Sequence, residues 1–291
     1  MQIDALAQLM AMHPEVDVLS QELSRKHNGH FLLSGLYASA QAIILTALHQ
    51  KLANKNAAQP MIIVLDDNDA AQYMYADIKT LIDDRDVYFF PCSHRRRQKT
   101  DEALTVQRTE VLSALLNAMH SLEDASLQDG RKTAYSLKAR PIIVTTPEAL
   151  AETVPNPQVL EKNKISLSVG EEIPISMLIE MLLNLDFKRV DFVYEPGQFA
   201  VRGGIVDVYS FAHDIPVRID FFGDEVDSIR EFELETQLSQ NKVDSVDIVG
   251  AQSEEKDSTT ILAYLPNETL WISNDFGLMK FKMTKIGRAH V

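Results

Sequence analysis

Phe199-Ala-Val-Arg202-Gly203-Gly204-Ile-Val-Asp207-Val-Tyr209, followed by Val217-Arg-Ile-Asp-Phe-Phe222-Gly223-Asp-Glu-Val-Asp-Ser-Ile229, alternates apolar with polar residues and breaks at glycine. Alternation with period two sends one set of side chains to each face of a strand, and Gly203-Gly204 and Gly223-Asp224 punctuate the runs as hairpin turns. The pattern predicts antiparallel strands over Ile205–Tyr209, Val217–Phe222 and Val226–Phe232, with another over Phe192–Tyr194 and a helix over Ile175–Leu185 ahead of them.

Upstream the grammar is different. Short apolar runs at His30–Leu33, Met61–Leu65, Val87–Phe90 and Pro141–Thr145 alternate with helix-period segments at Ala38–Leu52, Asp69–Ile82, Glu102–Met119 and Pro147–Thr153. Strands alternating with helices build a parallel sheet, so residues 1–154 read as a doubly wound α/β domain. Thr146 suits an N-cap, with Pro147 at the first helical position. Val154-Pro-Asn-Pro157 ends the pattern, because a residue before proline disfavours helix. Residues 155–237 then form a β-rich α+β domain, and 238–285 read as an acidic linker plus a short return to the first domain or the start of another. Ile286–Val291 reads like translated sequencing adapter rather than native sequence, a segment to leave out of fold reasoning.

Of 291 residues, 45% are apolar, enough for packed cores, and the length suits two domains. The net charge of −14 repels phosphate over the surface as a whole, so a protein partner is favoured and any nucleic-acid contact must be local. One cysteine, Cys92, excludes an internal disulfide and argues against zinc. No apolar run approaches the roughly 20 residues of a membrane span, and no signal peptide opens the chain, so a cytoplasmic location without membrane contact is expected.

A phosphate-binding loop would sit between the first strand and helix. Gly35 is in place, but Ala40 replaces the second glycine, Gln41 the lysine and Ala42 the magnesium-binding hydroxyl of G-x-x-x-x-G-K-[ST]. Each change removes a physical element: close backbone approach, the cation at the phosphates, the metal ligand. No cofactor is expected. Asp66 and Asp67 follow a strand, as magnesium ligands do in nucleotide-binding folds, but read more simply as caps of the next helix. The basic run containing Arg95, Arg96 and Arg97 is a solvated loop or a local contact to DNA or an acidic partner. No nucleophile and base stand in a recognisable arrangement. Trp271 and the pair Phe221-Phe222 read as core.

The ordered run from Ser166-Leu-Ser-Val-Gly170-Glu-Glu-Ile173 through Phe187-Lys-Arg189-Val-Asp191, Tyr194-Glu-Pro-Gly-Gln-Phe-Ala-Val-Arg-Gly203 and the strands quoted above resembles the second domain shared by excinuclease B subunits and transcription-repair coupling factors. The resemblance covers most of residues 28–237, and the run Tyr194–Gly203 is similar to the coupling-factor version in particular. The degenerate loop at Gly35–Ala42 and the passage from Phe90 through the basic run to Glu102, without an aromatic hairpin, separate the chain from excinuclease B itself.

The resemblance implies a degenerate RecA-like domain followed by an excinuclease A-binding domain, the leading part of a coupling factor acting in nucleotide excision repair. Arg189 and Arg202 would be the centre of the excinuclease A contact, with Lys188 and Phe199 beside them, while Ala200 stands where a third arginine is expected. The ATP- and magnesium-dependent motor, the contacts to RNA polymerase and double-stranded DNA, and a C-terminal domain that masks this surface would lie beyond residue 291. Two other classes remain open at this point: a working NTPase of the excinuclease B type, and an interaction module with no repair role.

Overall fold

A computed structural model describes residues 3–25, 29–54, 59–82, 86–93, 102–127, 140–251 and 258–289. The chain packs as two units. One comprises residues 1–92, 114–152 and 264–291, the other residues 93–113 and 153–263.

The first unit opens with α1 (Ile3–Ala11), α2 (Pro14–Ser24) and α3 (Ala40–Asn54), then β1 (Met61–Val64), α4 (Asn68–Leu81) and β2 (Val87–Phe90). α5 (Glu102–Leu127) is divided between the units; β3 (Ile142–Thr145) and α6 (Pro147–Ala151) complete this part of the α/β pattern. Asp67 caps α4 by accepting from the Ala70 N–H at 2.8 Å, and Thr146 caps α6 with Pro147 following it. All residues of β1 and β3 are buried, as strands covered on both faces must be. Met61, Ile63, Val87, Phe89, Ile142 and Val144 form one such face, packed on Ala42 and Leu45 of α3 and Ala71, Met74 and Ile78 of α4.

The second unit follows with β4 (Thr153–Pro155), α7 (Pro157–Lys162), β5 (Lys164–Ser168), α8 (Ile175–Asn184), β6 (Lys188–Arg189), β7 (Gln198–Arg202), β8 (Ile205–Tyr209), β9 (Val217–Phe222), β10 (Glu225–Phe232), β11 (Ser239–Val243), β12 (Ser245–Val249) and β13 (Ser258–Thr260). A six-stranded sheet runs in the order β11-β10-β9-β8-β7-β6, antiparallel except for the parallel β6–β7 edge. Leu178 and Leu182 of α8, and Ile165, Leu167, Val246 and Ile248 of the paired β5 and β12, cover one face of it. The chain then returns to the first unit with β14 (Leu270–Ser273) and α9 (Phe276–Ala289), and β14 lies parallel to β1 to give the order β14-β1-β3-β2.

Several expectations change. His30–Leu33 forms no strand: Phe31, Leu32 and Leu33 are exposed, and the position beside β1 is taken by β14. Phe192–Tyr194 is a loop, since only Val193 of the three is buried. The stretch read as an acidic linker contains β11 and β12, because Val246, Ile248 and Val249 supply the buried side of a strand despite their acidic neighbours. The side chains of the presumed adapter residues lie outside those described.

Candidate protein-docking site

The edge of the six-stranded sheet is built by a helix end. Leu185 closes α8 and Asp186 takes φ 60°, so that Asp186 N–H donates to Leu183 O and Phe187 N–H to Leu182 O. These two hydrogen bonds across a left-handed residue form the Schellman cap. It turns Phe187 into the core and releases Lys188 and Arg189 along β7, where Lys188 N–H donates to Gly197 O at 2.8 Å and Val190 N–H to Phe199 O at 2.9 Å. Arg189 and Lys188 are exposed, and neither forms an ion pair among the described residues.

The loop between β6 and β7 is held by Gln198, whose Oε1 accepts from the N–H groups of Tyr194 and Glu195. It presents Phe192 and Tyr194, 51% and 59% exposed, above a buried Val193. Arg189, Val190, Asp191, Phe192, Val201 and Arg202 line an open recess of about 550 Å³. The recess therefore gathers both arginines singled out in the sequence, together with an aromatic ring the sequence reading had not assigned to the site.

Arg202 is less free than Arg189. Its guanidinium lies over the Phe192 ring, 5.2 Å from the centroid, donates to Asp191 O at 3.2 Å and pairs with Asp207. The Asp207 side chain is wholly buried, and Arg218 grips it from the other side, with Nε to Oδ1 at 2.7 Å and Nη2 to Oδ2 at 3.0 Å. These bonds, ahead of every other influence, raise the Arg218 pKa above its ordinary value. Two guanidiniums against one carboxylate leave the cluster a net positive charge, and Arg202 keeps N–H groups for a further acceptor.

One residue expected in the contact, Phe199, and the position where a third arginine was expected, Ala200, belong to the interior. Phe199 is fully buried among Leu178, Leu182, Val206 and Val208 in the main core, so its side chain offers nothing to a partner. Ala200 is buried on the opposite face with Val193, Tyr209 and Phe232. In the first unit Gly35 has φ 78° in a segment without strand geometry, Ala40 begins α3 beside Gln41, and Ala42 is a core residue. At the nearby end of β1, Lys282 of α9 donates to Asp66 O at 2.6 Å and pairs with Glu148 at 3.2 Å. Arg95, Arg96 and Arg97 lie outside the described residues. Among the described residues no helix is long and apolar enough to cross a membrane, and no three His, Cys, Asp or Glu residues gather as metal ligands would.

The folded segment carrying this recess defines a recognised class of domain: residues 165–253, from β5 to just beyond β12, match the family model described as the UvrB interaction domain. Over 220 residues, 75% of this chain, it is 30% identical to the transcription-repair-coupling factor of Bacillus subtilis (strain 168). It is 26% identical over 220 residues, 76% of the chain, to that of Staphylococcus aureus (strain bovine RF122 / ET3-1). Over about three quarters of its length the chain is thus similar to transcription-repair-coupling factors. It covers 17% of the length of these relatives.

Proposed function

We propose that this chain is the part of a transcription-repair coupling factor that recruits the excinuclease A subunit, through the recess at the β6–β7 edge. The observation that supports this best is an exposed Arg189, without an ion pair among the described residues, beside a preorganised Arg202 and two exposed aromatics, on a domain of the UvrB interaction family. Arginine and aromatic residues are the commonest binding hot spots, and arginine's planar fork suits a carboxylate. On a chain of net charge −14 such a patch steers toward an acidic protein surface. RNA polymerase, duplex DNA, ATP and a masking domain belong, in this reading, to the rest of the longer protein, which acts in the cytoplasm.

Arg189 is the residue on which to test it. Charge reversal at Arg202 would also strip a partner from buried Asp207 and confound binding with folding. Arg189→Glu should weaken capture of excinuclease A by about 30-fold or more, the scale of a hot-spot loss, and move folding stability by no more than about 0.5 kcal/mol. Titration calorimetry and a thermal melt measure both. Wild-type affinity in the variant would overturn the assignment, and no affinity in the parent chain would favour a module without a repair role.

The chain should also fail to bind Mg-ATP. Ala40, Gln41 and Ala42 supply neither the phosphate-binding backbone nor cation nor metal ligand. Calorimetric titration should show no saturable heat; micromolar binding would restore the NTPase reading.

A further inference from the structure

Phe222 is 81% exposed, the most exposed aromatic side chain of the second unit among the described residues. Exposure of one large apolar side chain is ordinary in itself. What sets this one apart is how firmly its hairpin tip is held. Gly223 takes φ 67° at the first position of a two-residue loop, the position where a tight hairpin needs glycine. Phe221 N–H donates to Gly204 O at 2.8 Å, so the two hairpin turns are joined; a Cβ on Gly204 would come within 3.0 Å of Phe221 O. On the other side Ile173 N–H donates to Asp224 O at 2.7 Å, Gly170 N–H to Val226 O at 2.8 Å and Val226 N–H to Glu171 O at 2.9 Å. The tip is bolted to its neighbours, and the Phe222 ring stands free on it.

The face it occupies follows from the pleat. Val217, Ile219 and Phe221 pack in the main core, so Arg218, Asp220 and Phe222 belong to the opposite face. Val201 also packs inward, which puts Arg202 on that same outer face. Arg202 is in register with Ile205, and Ile205 with Asp220, so Phe222 lies two strands across and two residues along from Arg202. Strand spacing and rise make that separation about 12 Å, well inside one ordinary protein interface.

We infer that Phe222 is a second anchor of the docking site, an aromatic side chain presented on a fixed tip to fill an apolar pocket of the excinuclease A surface that also meets Arg189. The inference rests on the proposed recruitment of excinuclease A. A protein occupant fits better than nucleic acid, because Asp224 and Glu225 are exposed beside the ring and would repel phosphate. A tip ordered before binding loses little entropy on docking, which is the property of an efficient hot spot. The partner should therefore offer carboxylates opposite Arg189 and Arg202 and an uncharged pocket opposite Phe222.

Three variants of the 291-residue chain, Phe222→Ala, Phe222→Leu and Arg189→Glu, titrated with excinuclease A alongside thermal melts, decide the matter. Phe222→Ala should weaken binding by about 30-fold, Phe222→Leu by less, and neither should shift the melt, since the ring is solvated in the free chain. Phe222→Ala binding within about twofold of the parent, with Arg189→Glu impaired, overturns the inference and leaves the recruitment reading standing. Unimpaired binding by all three, or none by the parent, removes both. Loss of duplex DNA retention by Phe222→Ala with excinuclease A binding intact would make the ring a nucleic-acid contact and likewise overturn the inference.

Discussion

Arg218→Ala should destabilise the β-rich unit by about 3 kcal/mol, while Arg202→Ala should cost only about 1–2 kcal/mol, although both arginines hold the same carboxylate. The difference follows from what each leaves behind. Arg218 bonds both oxygens of Asp207, donates to Gln237 O at 3.2 Å and covers the Phe232 ring at 4.9 Å from its centroid. Its removal leaves Asp207 Oδ1 without a donor inside the sheet's outer face, and opens the packing over Phe232. Arg202 supplies one bond to Asp207 from a side chain that is 37% exposed, and Arg218 continues to grip both oxygens when it is gone. Urea denaturation followed by far-ultraviolet circular dichroism compares the two. Equal losses, or a loss below about 0.5 kcal/mol for Arg218→Ala, would show that Asp207 is not held as the geometry implies.

The same triad explains how far the docking site could be seen in the sequence. Strands β8, β9 and β10 announce themselves through alternation and glycine turns, and the parity of that alternation, carried through β7, already sorts the faces. Val206, Val208, Val217 and Ile219 fix the inward set; by counting in twos Phe199, Val201 and Phe221 join it, and Arg202, Arg218 and Phe222 do not. The same parity corrects two expectations: Phe199, which the resemblance placed in the contact, points inward, and Phe222, read as core from its residue type, points outward. The Asp207 clamp was less accessible. Its members lie on three strands, and only pairing register brings Asp207 opposite Arg218.

In the first unit the caps at Asp67 and Thr146 and the strands β1, β2 and β3 were legible from local chemistry. The strand beside β1 was not. His30–Leu33 and Leu270–Ser273 are both short apolar runs, and nothing local tells which one pairs with Met61–Val64 across so long a separation in sequence. The linker expected from residue 238 failed for a related reason, since β12 is recognised by its pairing with β5, not by its composition.

Phe199→Ala should lower stability by about 3–5 kcal/mol, the range for deleting a buried aromatic ring. Phe199 sits at the centre of the core shared by α8 and the six-stranded sheet, fully buried between Leu178, Leu182, Val206 and Val208. A cavity there is hard to relax. Its walls come from a helix fixed by the Schellman cap at Asp186 and from strands locked in register on both sides. Phe199 is also the residue whose backbone carbonyl accepts from Val190 N–H, so its neighbourhood carries the strand on which Arg189 rides. Loss of excinuclease A capture by Phe199→Ala should therefore track unfolding: the variant should melt early, and at a temperature where it is fully folded its affinity should stay within a few-fold of the parent. Phe199→Leu, which returns most of the volume, should recover most of the stability. A Phe199→Ala protein that melts like the parent yet fails to capture excinuclease A would place the ring in the contact after all, and would mean that β7 turns over to expose it.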